Sequence, residues 1–184
     1  MNLSGKNILF LGSSVTYGSA SGGVSFVEIM AEQCGFSFIK EAVSGTTLAD
    51  INGKSYVARL KKLRTEISID TLVCQLSTND ATRNISLSEV EDAIRFIVEY
   101  AKRNFNCEIA FYTNPYYESE SYAKMVELVN SLAEQCGFCV LDFYSNDSMT
   151  KAEYAEYMAD RIHPTLKGYR EWITPKFIHF LENL

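Results

Sequence analysis

Two stretches of this sequence carry side chains that could do chemistry together. Gly12-Ser13-Ser14-Val15-Thr16-Tyr17-Gly18-Ser19 sets two adjacent serines directly after the apolar run Asn7-Ile8-Leu9-Phe10-Leu11. Asp160-Arg161-Ile162-His163-Pro164 sets a carboxylate shortly before an imidazole. A serine hydroxyl is a weak nucleophile until a neighbouring base takes its proton. An imidazole is such a base when a carboxylate fixes its tautomer and stabilises the cation formed during attack. The chain has 2 histidines. His179, inside Phe177-Ile178-His179-Phe180-Leu181, reads as a packed or surface histidine, which leaves His163 as the candidate base. Alone, the first stretch has three readings: a nucleophile, a cradle for a phosphate, or a polar turn whose hydroxyls satisfy loop backbone.

The elements that must position these residues alternate. Asn7–Leu11, Ser37–Glu41, Thr71–Leu76, Glu108–Thr113 and Val140–Phe143 read as strands. They are near-continuously apolar, as parallel strands covered on both faces are. Between and after them, Ser25–Cys34, Tyr56–Arg64, Ser88–Arg103, Tyr122–Cys136 and Lys167–Leu184 read as helices. Ser86-Leu87-Ser88-Glu89 offers cap hydroxyls and a carboxylate at a helix start, and Ile94, Ile97, Val98 and Ala101 then form one stripe. The hexapeptide Ala-Glu-Gln-Cys-Gly-Phe occurs at 31–36 and again at 133–138, each time ending a helix on glycine before a strand. The pattern predicts one α/β domain over residues 1–184. Its architecture is a three-layer α/β/α sandwich, flavodoxin-like, on a five-stranded parallel sheet. Such sheets bind ligands beyond the carboxyl ends of their strands. On that rim fall the Ser13/Ser14 turn, Ala42-Val43-Ser44-Gly45-Thr46-Thr47, Ser77-Thr78-Asn79-Asp80, Asn114-Pro115-Tyr116-Tyr117 and, well past the fifth strand, Asp160 and His163.

Composition narrows the function classes. With 17 basic and 23 acidic residues, the formal net charge of −6 argues against a broad nucleic-acid or anionic-lipid footprint. No apolar stretch approaches the ~20 residues that span a bilayer. The N-terminus is too weakly apolar for a signal-peptide core, so the expected location is cytoplasmic. The 5 cysteines form no regular framework and are expected to be reduced and mostly buried. Cys136-Gly137-Phe138-Cys139 fits C-x-x-C, but a helix feeds a strand there, the reverse of a redox site, so buried structural thiols are expected. No second ligand pair suggests zinc.

Four blocks then carry a resemblance. Gly-Ser-Ser-Val-Thr-Tyr-Gly resembles the first block of the SGNH/GDSL hydrolases, Gly-Asp-Ser-Leu-Thr/Ser-x-Gly. Gly45 in Val-Ser-Gly-Thr-Thr resembles the glycine of the second. Ser-Thr-Asn-Asp resembles Gly-x-Asn-Asp, and Asp-Arg-Ile-His-Pro resembles Asp-x-x-His-Pro. They stand in family order from residue 12 to residue 164, each in a strand-end loop. The resemblance implies an esterase or acylhydrolase that needs no metal or cofactor and acts on a small-molecule ester. Lipid esters, thioesters and acetylated carbohydrates are the family's substrate classes. By position it implies Ser14 as nucleophile, His163 as base, Asp160 as its orienting acid, and an oxyanion hole from the Ser14 and Gly45 N–H groups and the Asn79 amide.

Two positions depart from that pattern. Ser13 stands where the family has Asp, which removes a carboxylate that would brace the loop. Ser77 stands where it has Gly, and is expected to narrow the pocket or alter the accepted substrate. The competing reading is a flavodoxin-like module whose first loop holds the phosphate of a flavin mononucleotide; it leaves Asn79 and the Asp160/His163 pair unexplained. Bland readings exist for the rest. Asn79-Asp80 could be an Asx turn or cap, Asp160 could pair with Arg161 or Lys167 at the surface, and His163-Pro164 could stop the chain before the final helix. Tyr112, Tyr116, Tyr117 and Tyr122 read as core and rim packing or as part of an acyl-pocket wall, with packing preferred.

Overall fold

The computed structural model describes residues 2–49, 53–146 and 149–184. Five strands, β1 (Asn7–Gly12), β2 (Ser37–Ala42), β3 (Thr71–Gln75), β4 (Glu108–Tyr112) and β5 (Cys139–Leu141), form one sheet in the order β2-β1-β3-β4-β5. Every pairing is parallel. The helical elements are α1 (Ser14–Tyr17), α2 (Phe26–Cys34), α3 (Tyr56–Leu60), α4 (Thr78–Thr82), α5 (Leu87–Asn104), α6 (Glu120–Cys136), α7 (Lys151–Tyr157), α8 (Leu166–Gly168) and α9 (Thr174–Glu182). A π turn over Tyr169–Ile173 joins the last two.

Side chains alternate across a strand, and the central strands divide their apolar residues accordingly. Leu9, Leu11, Leu72, Cys74, Ile109 and Phe111 pack with α3, α5 and α6. Ile8, Phe10, Val73 and Tyr112 pack with α2 and α9, where the Phe26 and Phe177 rings stack at 4.1 Å. This makes three layers, helices on both faces of the sheet. It also explains why β1 and β3 read as unbroken apolar runs.

Local chemistry sets the ends of the helices. Ser25 with Glu28, Ser86 with Glu89 and Thr150 with Glu153 are full capping boxes. Both copies of the repeated hexapeptide end a helix on a left-handed glycine, with φ 72° at Gly35 and φ 65° at Gly137, where a Cβ would be strained.

The structure corrects four expectations. β2 is not covered on both faces: Ser37 and Phe38 are exposed and its other residues half-buried, because it lies at the sheet edge. Its inward-leaning Lys40 pairs with Glu28, a charge of the kind that blunts an open edge. The helix expected over 56–64 stops at Leu60, since Lys61, Lys62 and Arg64 are exposed and supply no buried stripe. The thiols are free but not mostly buried: Cys74 is buried, Cys139 is exposed, and the other three lie between. Cys136 and Cys139 are therefore not a buried structural pair, because β5 is the opposite edge strand and Cys139 is its first residue. The chain also folds into α7, which has no buried residue and hence no apolar stripe to read.

Candidate active site

From β1 the chain runs to β2 at one edge, then returns to β3 on β1's other side. The sheet thus switches direction between β1 and β3, where a crevice opens beyond the strand ends. Both loops at that switch carry candidate residues. Ser13 follows Gly12 and caps α1, which puts Ser14 at the first position of a single helical turn. That turn closes at once on Gly18, φ 89°, whose N–H meets the Ser14 carbonyl. A side chain at Gly18 would collide with the Val24 carbonyl, 2.5 Å from a built Cβ.

His163 comes from the far end of the chain on a pinned loop. The Ala159 N–H donates to the His163 carbonyl at 2.8 Å, and the Thr165 N–H donates to the Tyr157 carbonyl at 2.8 Å. Met158 and Pro164 form an antiparallel bridge between these two bonds. Within the loop, Asp160 Oδ1 accepts the N–H groups of Ile162 at 2.7 Å and His163 at 2.8 Å. Its carboxylate also faces the ring: His163 Nδ1 lies 2.8 Å from Oδ2. The other ring nitrogen, Nε2, lies 2.8 Å from Ser14 Oγ. Asp160 therefore does not pair with Lys167, which is engaged by Glu156 and Glu171. Burial pushes the Asp160 carboxyl up, but the His163 ring and the two backbone N–H donors outweigh it and hold it below the ordinary carboxylate range.

Gly45 and Asn79 meet through their neighbours. Asn79 donates from Nδ2 to the Thr46 carbonyl at 3.0 Å, and Arg83 donates from Nη2 to the Gly45 carbonyl at 2.7 Å. Gly45 is left-handed at φ 76°. No acceptor among the described residues takes the Gly45 or Ser14 N–H. The rest of this loop hangs on Asp80, fully buried, which accepts the Leu48 N–H on Oδ2 at 2.7 Å and the Ala49 N–H on Oδ1 at 3.0 Å. Burial raises the Asp80 carboxyl against the opposing Ser77 hydroxyl, those two N–H donors and Arg83. Arg59 spans the two loops, donating to the Gly12 carbonyl at 2.6 Å and the Thr46 hydroxyl at 2.8 Å.

Both departures from the family pattern acquire a physical meaning. Ser77 does not narrow a pocket. It is fully buried, and its hydroxyl accepts the Asn79 N–H as the cap of α4. Ser13 does not leave its loop unbraced. Gln75, the last residue of β3, accepts the Ser13 N–H at 2.9 Å and the Thr16 hydroxyl at 2.9 Å on one amide oxygen. Sequence reading passes over Gln75 and Arg59, and it places Asn114 and Asp80 on the rim without the contacts they make here. Gln75 had one available signal, a neutral polar residue inside an otherwise apolar buried strand. His179 is exposed on α9, as read. Of the four rim tyrosines, Tyr112 and Tyr122 are buried and Tyr116 is exposed.

Among the described residues no three His, Cys, Asp or Glu side chains gather as a metal site requires. No helix there is long and apolar enough to cross a membrane.

Comparison with known proteins bears on the family and the fold. The model of the GDSL-like Lipase/Acylhydrolase family matches residues 10–171. Among solved structures, a protein from Lactobacillus plantarum has a TM-score of 0.84 at 19% identity, covering 98% of each chain. The lipase/acylhydrolase from Enterococcus faecalis has a TM-score of 0.78 at 19% identity, covering 97% of this chain and 96% of that one. Axe2, an acetylxylan esterase from Geobacillus stearothermophilus, has a TM-score of 0.76 at 20% identity, covering 97% and 95%. At these identities the neighbours speak for the fold. No curated protein sequence matches the chain significantly. The flavin-binding alternative is not favoured: the family match runs against it, and the first-loop hydroxyls turn inward, Ser13 and Thr16 to Gln75 and Ser14 to His163.

Proposed function

The chain belongs to the GDSL-like lipase/acylhydrolase family, and on that premise we propose that it cleaves small carboxylic esters through an acyl-enzyme on Ser14. The observation that supports this reading is the unbroken line from Ser14 Oγ through the His163 ring to Asp160, with 2.8 Å at each contact. Asp160 accepts from Nδ1, which fixes the proton there and leaves the Nε2 lone pair facing the serine. As Ser14 Oγ attacks the ester carbonyl, its proton passes to Nε2. The carbonyl oxygen becomes an oxyanion met by the Ser14 and Gly45 N–H groups and the Asn79 amide. Collapse breaks the bond to the alcohol, which leaves with the proton from Nε2. Water then attacks the acyl-Ser14 ester, His163 takes its proton, and the carboxylic acid departs as Oγ regains a proton. Asp160 stays ionised throughout, in keeping with its lowered pKa.

A serine-reactive aryl phosphonate followed by peptide mapping tests the assignment. The expected adduct is on Ser14, with release of the aryl alcohol and loss of turnover of a short aryl ester. An adduct on Ser13, or full turnover by phosphonylated protein, overturns it.

A further inference from the structure

We infer that Gln75 and Asn114 are positioning residues that set the separation of Ser14 and His163, an inference that rests on the hydrolase reading above. Both side chains are fully buried, and neither touches the proposed reacting atoms. Together they make one directed chain of hydrogen bonds between the two catalytic loops. At its start, Gln75 Oε1 accepts from the Ser13 N–H at 2.9 Å and the Thr16 hydroxyl at 2.9 Å. The Ser13 hydroxyl and the Thr16 N–H also face that oxygen, at 3.3 Å and 3.4 Å. A backbone N–H can only donate, so the amide cannot turn over, and Nε2 must point away from the nucleophile turn. There Nε2 donates to Asn114 Oδ1 at 3.1 Å. With its oxygen taken, Asn114 can present only Nδ2 onward, and Nδ2 donates to the Ile162 carbonyl at 3.1 Å. The chain thus begins at the residue before Ser14 and ends at the residue before His163.

The surroundings leave this chain no slack. The Asn114 N–H donates to the Tyr122 hydroxyl at 2.9 Å, which itself donates to the Leu76 carbonyl at 3.1 Å, so Asn114 is tied to the end of β3. The Thr16 hydroxyl also meets the Tyr112 hydroxyl at 2.7 Å. Even the corner glycine is packed: a Cβ on Gly12 would lie 1.8 Å from Thr16 Oγ1 and 2.9 Å from Gln75 Oε1. Because both side chains are fully buried, reversing one link costs the chain its next donor. A catalytic pair displaced by about 1 Å loses on the order of 10²-fold in rate.

Two isosteric substitutions break the chain at different links. Asn114→Asp still accepts from Gln75 but turns a second oxygen toward the Ile162 carbonyl. Gln75→Glu still accepts from Ser13 and Thr16 but sets an oxygen against Asn114 Oδ1. Each is assayed with a short aryl ester and with an aryl phosphonate, alongside Ser14→Ala and thermal unfolding. In at least one folded variant the expected result is a fall of roughly 10–10² in kcat and in the phosphonylation rate, with KM within about threefold. A loss carried by KM, or kcat within about twofold of the parent in every folded variant, overturns the strut and leaves the hydrolase reading standing if Ser14→Ala is inactive. If neither variant folds, the pair serves stability and the positioning role is overturned. A fully active Ser14→Ala overturns both readings.

Discussion

His163 Nε2 and Ser14 Oγ stand 2.8 Å apart although 149 residues separate them in the chain. If they act as one unit, removing either disables the other. Ser14→Ala and His163→Ala are each expected to lower kcat on an aryl ester by ~10³ or more, and the double variant to be no worse than the poorer single. Steady-state kinetics of the three proteins checks this; additive losses would show that the two act independently.

Asn79 has two tasks in one amide, a bond to the Thr46 carbonyl and the proposed donation to an oxyanion. Asn79→Ala is expected to lower kcat by ~10²–10³. Asn79→Asp keeps the shape but carries no donor, and should be no better. A variant whose kcat stays within an order of magnitude, measured against the same ester, would remove Asn79 from the oxyanion hole.

Replacing a helical glycine by alanine ordinarily stabilises by up to ~1 kcal/mol. Gly168 has right-handed helical angles, yet a Cβ there would lie 2.1 Å from the Tyr157 carbonyl oxygen. That carbonyl also accepts the Thr165 N–H that pins the His163 loop. Gly168→Ala is therefore expected to destabilise by ~1–3 kcal/mol, the range for overpacking. It should also reduce turnover more than the loss of folded protein explains. Denaturant unfolding and active-site titration separate the two effects.

Asp142 couples β5 to its neighbours, accepting from the Thr113 hydroxyl at 2.9 Å, the Ser145 N–H at 3.0 Å and the Asn130 amide at 3.1 Å. Burial raises its carboxyl, but the Ser145, Thr113 and Asn130 donors prevail and the net shift is downward. A folded pKa below the unfolded one gives stability that is present above the unfolded value, ~4, and lost as pH falls through the folded one. The Tm gap between the parent and Asp142→Asn should thus be full near pH 7 and narrow steadily below about pH 4. A gap that is constant with pH would assign the effect to packing.

Much of this organisation was legible because it rests on local or periodic chemistry. The strands of β1 and β3 declare themselves by unbroken apolar runs, the helix ends by capping pairs and by Gly35 and Gly137. The strand-end rule then places Ser14 and His163 on one side of the sheet from the sequence alone. What stayed hidden depends on adjacency in space. The polar Gln75 at the end of Thr71–Gln75 stands out in the sequence, but nothing there says that it will accept the Ser13 N–H and the Thr16 hydroxyl. The exposure of β2 and Cys139 follows from strand order, which the alternation of elements does not specify. α7 had a signal, the Thr150/Glu153 capping box, but no buried face to extend it.

On the proposed function, the nucleophile turn lies in the first element pair and its base in a loop reached only after the last strand, so the base must come from the far end of the chain. On that reading, a folding species in which the Met158–Pro164 loop has not yet docked on the β1 end holds a hydroxyl without its base. The rate at which Ser14 captures a phosphonate during refolding should therefore track the arrival of the C-terminal segment. The site doubles as a clock for the closure of its own fold.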